Sequence, residues 1–160
     1  MSKENETLDE FICRAGDSPI LVSACLLGLR TRYDGDSSPS DAVLEYAGQL
    51  RLIPICPEQL GGLATPRVKA SLSGGDGEAV LGSSAKVVNE AGRDITDNFL
   101  RGARQVLALA KACNARFAIL KEKSPSCGVF RTYVDFELVE GCGVTTAALK
   151  IPRFEIFVIA

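Results

Sequence analysis

Apolar residues come in short bursts along the chain, separated by polar or helix-periodic stretches. Ile20-Leu21-Val22 follows Pro19, and similar runs recur at residues 52–55, 117–120 and 155–159. Unbroken apolar runs of this length read as strands buried on both faces. Lys86-Val87-Val88 is a weaker strand of the same kind. Between the bursts the period changes. Residues 97–113 place Phe99, Ala103, Val106, Leu107 and Ala110 on one helical face, with Thr96 as the expected cap. Ser40 or Asp41 opens a helix running to about residue 50, and residues 144–149 suggest another. Residues 31–39 form a loop with Asp34-Gly35 as its turn signal. Residues 59–84 are rich in Gly and Ser without a clear period and read as one long loop. Residues 1–18 read as a loosely held polar extension with a short helix at residues 8–13, ahead of a single domain over residues 19–160. Short buried strands alternating with helices imply an α/β fold, a three-layer sandwich with a mainly parallel sheet. Such sheets bind ligands beyond the carboxyl ends of their strands.

Composition narrows the function. At 160 residues, 46% of them hydrophobic, the chain can bury an ordinary core in one domain. The net charge of -2, without a basic block, argues against a nucleic-acid partner, though not against a small nucleobase. No run approaches the roughly 20 apolar residues of a membrane span, and the polar MSKENETLDE start has no signal-peptide apolar region. A cytoplasmic location is expected. In a reducing compartment the six cysteines are free thiols, metal ligands or nucleophiles rather than a disulfide framework. There is no histidine. That removes the Ser-His-Asp triad, the Cys-His pair and the imidazole metal ligand, and leaves proton transfer to Asp, Glu, Lys, Tyr, Cys or water.

Three cysteines have related positions. Cys25, Cys56 and Cys127 each lie just beyond the carboxyl end of an expected strand. If those strands are parallel neighbours, about 5 Å apart, three thiolates meet at one edge of the sheet. Paired CxxC spacing, the usual mark of structural zinc, is absent. An iron–sulfur cubane tolerates dispersed thiolates, and three of them leave one iron open as a Lewis acid. The competing reading is three small buried apolar residues. Cys13 and Cys113 read as structural. Cys142, between two glycines, is either a cavity thiol or a loop residue.

The motifs around these cysteines carry further information. Val22-Ser23-Ala24-Cys25-Leu26-Leu27-Gly28 is followed by Arg32-Tyr33-Asp34-Gly35. Cys56-Pro57-Glu58 is followed by Gly61-Gly62-Leu63 and Thr65-Pro66-Arg67. Lys123-Ser124-Pro125-Ser126-Cys127-Gly128 completes the set. In content and order the three resemble the thiouracil desulfurase family, over roughly residues 20–150. The resemblance implies a 4Fe–4S cluster held by Cys25, Cys56 and Cys127, a free fourth iron that takes the substrate's sulfur, and release of sulfide from a thiouracil-like heterocycle. Two segments depart from the family pattern. After Arg67, where a PPAE-like segment is usual, stands Val68-Lys69-Ala70-Ser71. A YDGxF-like turn is replaced by Thr132-Tyr133-Val134-Asp135-Phe136.

Within that frame, Glu58 is the candidate base that activates water for hydrolysis of C=S to C=O, or else an ion-pair partner of Arg67 or Arg32. Ser126 and Ser124 are candidate hydrogen-bond donors to the cluster or substrate. Asp34 is a second acid–base candidate or a turn residue. Gly61-Gly62 is expected to let the backbone approach the site, and Lys121 and Lys123 to form a solvated face. Two alternatives stand beside hydrolysis: a cluster-based sulfur carrier, and a non-enzymatic binding module with three reduced cysteines. The oligomeric state is left open.

Overall fold

The computed structural model describes residues 5–160. Helix α1 (Leu8–Ala15) begins at a reciprocal cap: Thr7 Oγ1 accepts from Glu10 N and Glu10 Oε2 accepts from Thr7 N. Strand β1 (Ile20–Ser23) runs into a single 3-10 turn at Ala24–Leu27. Helix α2 (Asp41–Ala47), capped by Ser40, leads to β2 (Leu52–Ile55) and the one-turn helix α3 (Pro57–Leu60). Then come β3 (Ala70–Ser73), α4 (Gly77–Leu81), β4 (Lys86–Asn89) and the long helix α5 (Thr96–Cys113). The chain closes with β5 (Phe117–Lys121), β6 (Arg131–Val134), β7 (Glu137–Glu140), α6 (Val144–Lys150) and β8 (Glu155–Ile159).

The apolar bursts assemble into one parallel sheet, ordered β2-β1-β5-β8. Successive residues face opposite sides, so both sides must be covered. Ile20, Val22 and Ile119 meet Phe11 of α1 and Val43 of α2 on one side. Leu21, Ala118 and Leu120 meet Val106 and Ala110 of α5 and Leu149 of α6 on the other. This is the expected three-layer arrangement. A second four-stranded sheet, ordered β4-β3-β6-β7, adds to it. Its Leu72 and Val87 pack on Phe99 and Ala103 of α5 and on Val144 and Ala148 of α6. Helix α5 therefore serves both sheets with different stripes of one apolar surface.

Four expectations need correction. Residues 59–84 are not one loop but contain β3 and α4. Each is only four or five residues long, too short to show a period. Residues 8–13 are part of a longer helix whose Phe11 is fully buried, ring to ring with Phe117 and Phe157, so this stretch is core rather than loose extension. Thr96 does not cap α5 from outside. It is the first helical residue, and its Oγ1 accepts from Val87 N and donates to Asp94. Gly61 serves helix packing rather than approach to the site: a Cβ there would fall 2.1 Å from Asn98 O of α5. The facing Gly102 of α5 is equally committed, since its Cβ would fall 2.0 Å from Pro57 O. Among the described residues no helix is long and apolar enough to cross a membrane.

Candidate active site

Strands β2, β1 and β5 lie side by side and parallel, so their carboxyl ends share one edge. Cys56 follows β2 directly, Cys25 sits in the turn after β1, and Cys127 lies in the loop after β5. All three thiols line one open cavity of about 290 Å³. Burial pushes the thiols of Cys25 and Cys56 up, and that of Cys127, the most deeply placed, up to about 12. Polar groups work against that trend. Lys121 and Arg32 favour the Cys25 thiolate. Arg67 Nη2 lies 4.0 Å from Cys56 Sγ. Ser126 Oγ lies 3.9 Å from Cys127 Sγ.

The loop that carries Cys127 is held from three directions. Ser124 Oγ accepts from Ser126 N at 3.2 Å and from Cys127 N at 3.1 Å, a Ser turn that presents the thiol. Glu122, 7% exposed, accepts backbone N–H groups from Lys123, Val129, Phe130 and Arg131. One buried carboxylate thus satisfies four donors that would otherwise be desolvated at a cost. From the third side, the first turn of α6 donates to the loop carbonyls of Pro125 and Ser126. That contact requires Gly143, whose Cβ would lie 2.4 Å from the Ser126 carbonyl carbon.

Glu58, in the first turn of α3, connects two of these groups. Its Oε1 accepts from Arg67 Nε and its Oε2 from Ser126 Oγ, both at 3.3 Å. The ion pair with Arg67 is nearly closed to solvent, with side-chain exposures of 14% and 7%. Arg67 is anchored in turn, donating to Thr31 O, Ala64 O and Thr65 Oγ1. The sequence-level alternatives for Glu58 therefore coexist: it is an ion-pair partner and it lines the cavity.

The remaining candidates separate clearly. Asp34 does not line the cavity; it binds the Arg32 guanidinium and accepts from Asp36 N, which is turn chemistry. Those contacts hold its carboxyl below the usual range. Lys121, expected on a solvated face, is the last residue of β5 and lines the cavity beside Cys25, where burial lowers its pKa. Cys142 is 1% exposed and lies outside the cavity lining, with N and Sγ both donating to Asp76 Oδ2. It is neither a cavity thiol nor a surface loop residue. Lys69 and Tyr133, which fall in the two segments that depart from the family pattern but were given no role there, supply a further part of the cavity wall.

A profile of the 2-thiouracil desulfurase family matches residues 20–159. The chain belongs to this family. Among its relatives is the uncharacterised protein YbbK of Bacillus subtilis (strain 168), 42% identical over 134 residues, spanning 82% of this chain and 89% of YbbK. Its fold is similar to that of the solved 4Fe–4S-dependent thiouracil desulfidase TudS, with a TM-score of 0.76 and 41% identity. That match covers 89% of this chain and 91% of TudS. The α/β architecture, second sheet included, is thus one that a desulfidase of this family uses.

The donor set of this desulfurase-family chain fits a cluster. The three thiols border one cavity, with cationic and hydroxyl groups at their sulfurs. Thiolates spread around a space, with donors aimed at them, suit a multi-iron centre.

Proposed function

We propose that the chain desulfurises a thiouracil-like heterocycle by hydrolysis, C=S plus water giving C=O plus hydrogen sulfide, at a 4Fe–4S cluster held by Cys25, Cys56 and Cys127. When bound through three thiolates, such a cluster supplies an open iron that acts as a Lewis acid on sulfur. The reaction consumes no electrons, so no second cofactor is needed. The observation that carries this reading is one cavity, bordered by three thiols from neighbouring parallel strands and by the linked pair Glu58 and Ser126.

The chain's own residues supply the rest. Glu58 is the base for water: its carboxylate is held by Arg67 on one oxygen and by Ser126 on the other, and the residue lines the cavity. Ser126 shares its hydroxyl among Glu58, Cys127 and Ser124, so it positions the carboxylate against the thiol loop. Lys121 places positive charge beside Cys25, where negative charge gathers when the thiols ionise.

The test is anaerobic reconstitution followed by iron and acid-labile sulfide analysis, then sulfide release from 2-thiouracil. About four irons and four sulfides per chain are expected, with uracil and sulfide formed in equal amounts. Cys25→Ala, Cys56→Ala and Cys127→Ala should each lose both iron and turnover. Full turnover in any one of them overturns the ligand assignment. Iron at full occupancy without sulfide release from 2-thiouracil overturns the desulfurase reading.

A further inference from the structure

The cavity has two walls of different origin. The thiols, Glu58 and Lys121 stand at the edge of the parallel sheet, whereas Lys69 and Tyr133 come from the second sheet, just before β3 and within β6. Lys69 Nζ sits 5.0 Å from the centroid of the Tyr133 ring. Such a contact orients the ammonium but uses none of its three N–H donors in a hydrogen bond. No carboxylate of the described residues lies within ion-pair distance of Lys69. The Tyr133 hydroxyl likewise has no hydrogen-bond partner among them. The two carboxylates of the cavity are both occupied, Glu58 by Arg67 and Ser126, and Glu122 by the backbone of its own loop.

Two uncommitted donors, one of them charged, held together on one wall of a ligand cavity call for an acceptor on the ligand. We infer that Lys69 and Tyr133 form a specificity subsite that reads a ring oxygen of the substrate, away from its thiocarbonyl. This rests on the desulfurase reading above. The substrate class is accordingly narrowed to thio-heterocycles that also carry a ring carbonyl or its anion. A thio-heterocycle without that oxygen leaves both donors facing nothing, which costs affinity in a partly dehydrated pocket.

The experiment compares 2-thiouracil with 2-thiopyrimidine, which lacks the ring oxygen, in reconstituted wild type, Lys69→Gln and Tyr133→Phe. A parallel equilibrium-dialysis measurement compares binding of uracil and pyrimidin-2-one, which lacks only that oxygen. The wild type should prefer 2-thiouracil in kcat/KM. Each variant should lose about tenfold of that preference, chiefly through KM, as expected for one hydrogen bond to a ligand. The affinity for uracil relative to pyrimidin-2-one should fall by a similar factor, with iron content unchanged. Tyr133→Phe keeps the ring beneath Lys69 and removes only the hydroxyl, so it separates recognition from packing. A preference unchanged in both variants, or a uniform loss on both rings, overturns the subsite. A wild type that releases no sulfide from either ring refutes the underlying desulfurase reading and this inference with it; an active wild type with indifferent variants refutes this inference alone.

Discussion

A single carboxylate shows how closely charge and position are joined in this cavity. Glu58 is held by Arg67 and Ser126 at equal distances, so its orientation is fixed from both oxygens. Glu58→Gln keeps the size and one acceptor but removes the charge and the basicity. If the residue activates water, kcat for sulfide release should fall on the order of 10²–10⁴, while iron content stays at the wild-type level. A variant that keeps most of its kcat removes Glu58 from the base role. The sequence marked this residue because it sits next to a candidate ligand. For Asp34 it offered an acid–base role or a turn, and Arg32 and the turn backbone use the carboxylate up. Lys121 read as solvated because charge usually means surface; its place as the last residue of β5 turns it into the cleft instead. Glu122 carried no signal, since a carboxylate that binds only backbone has no motif.

At the level of elements, the contact between α3 and α5 decides where Cys56 and Glu58 stand. Gly102 lies in the middle of α5, where alanine normally improves helix stability by up to about 1 kcal/mol. Here the added methyl would meet Pro57 O at 2.0 Å. Gly102→Ala should therefore destabilise rather than stabilise, by about 1–3 kcal/mol as overpacking does, measured by chemical denaturation. The sign of the change is the test: a stabilised variant would mean that α3 does not rest on this glycine. Turn chemistry explains another part that was not legible. The β6–β7 hairpin closes through Asp135 and Phe136, with φ of 49° and 65°. Asn-Gly or Asp-Gly is the usual signal for such a turn, and Phe is not. The cost is offset locally, because Asp135 N donates to Leu72 O and Phe136 N to Ser71 Oγ. By contrast, the strands of the parallel sheet and α5 were legible. Each is long or apolar enough to show its period, and their carboxyl ends led directly to the three cysteines.

For the molecule as a whole, stability is spread over two sheets and the helices around them. Phe11 anchors α1 to the outer side of the parallel sheet, fully buried against Phe117 and Phe157. Phe11→Ala should cost about 3–5 kcal/mol, seen as a lower denaturant midpoint with an unchanged slope. A cost below about 1 kcal/mol, the range of a surface change, would show that α1 is not part of the core. Sequence alone put this helix in a polar extension because it is short and set among charged residues, although Leu8, Phe11, Ile12 and Ala15 recur at helical spacing. Of the second sheet only β4 was legible, as Lys86-Val87-Val88; β3, β6 and β7 are short and mix polar with apolar positions.

The origin of the cavity in two sheets has a consequence for how such a protein can change. The thiols hang from strands whose side chains are locked into the main core, so substitutions there are paid in stability. Lys69 and Tyr133 are only half-buried and belong to a separate ladder. A mutant library confined to residues 69 and 133 therefore explores what the cavity admits while leaving the scaffold of the thiols untouched. Ligand range and cofactor retention can drift independently in this architecture, one at a time and without passing through an unfolded intermediate sequence.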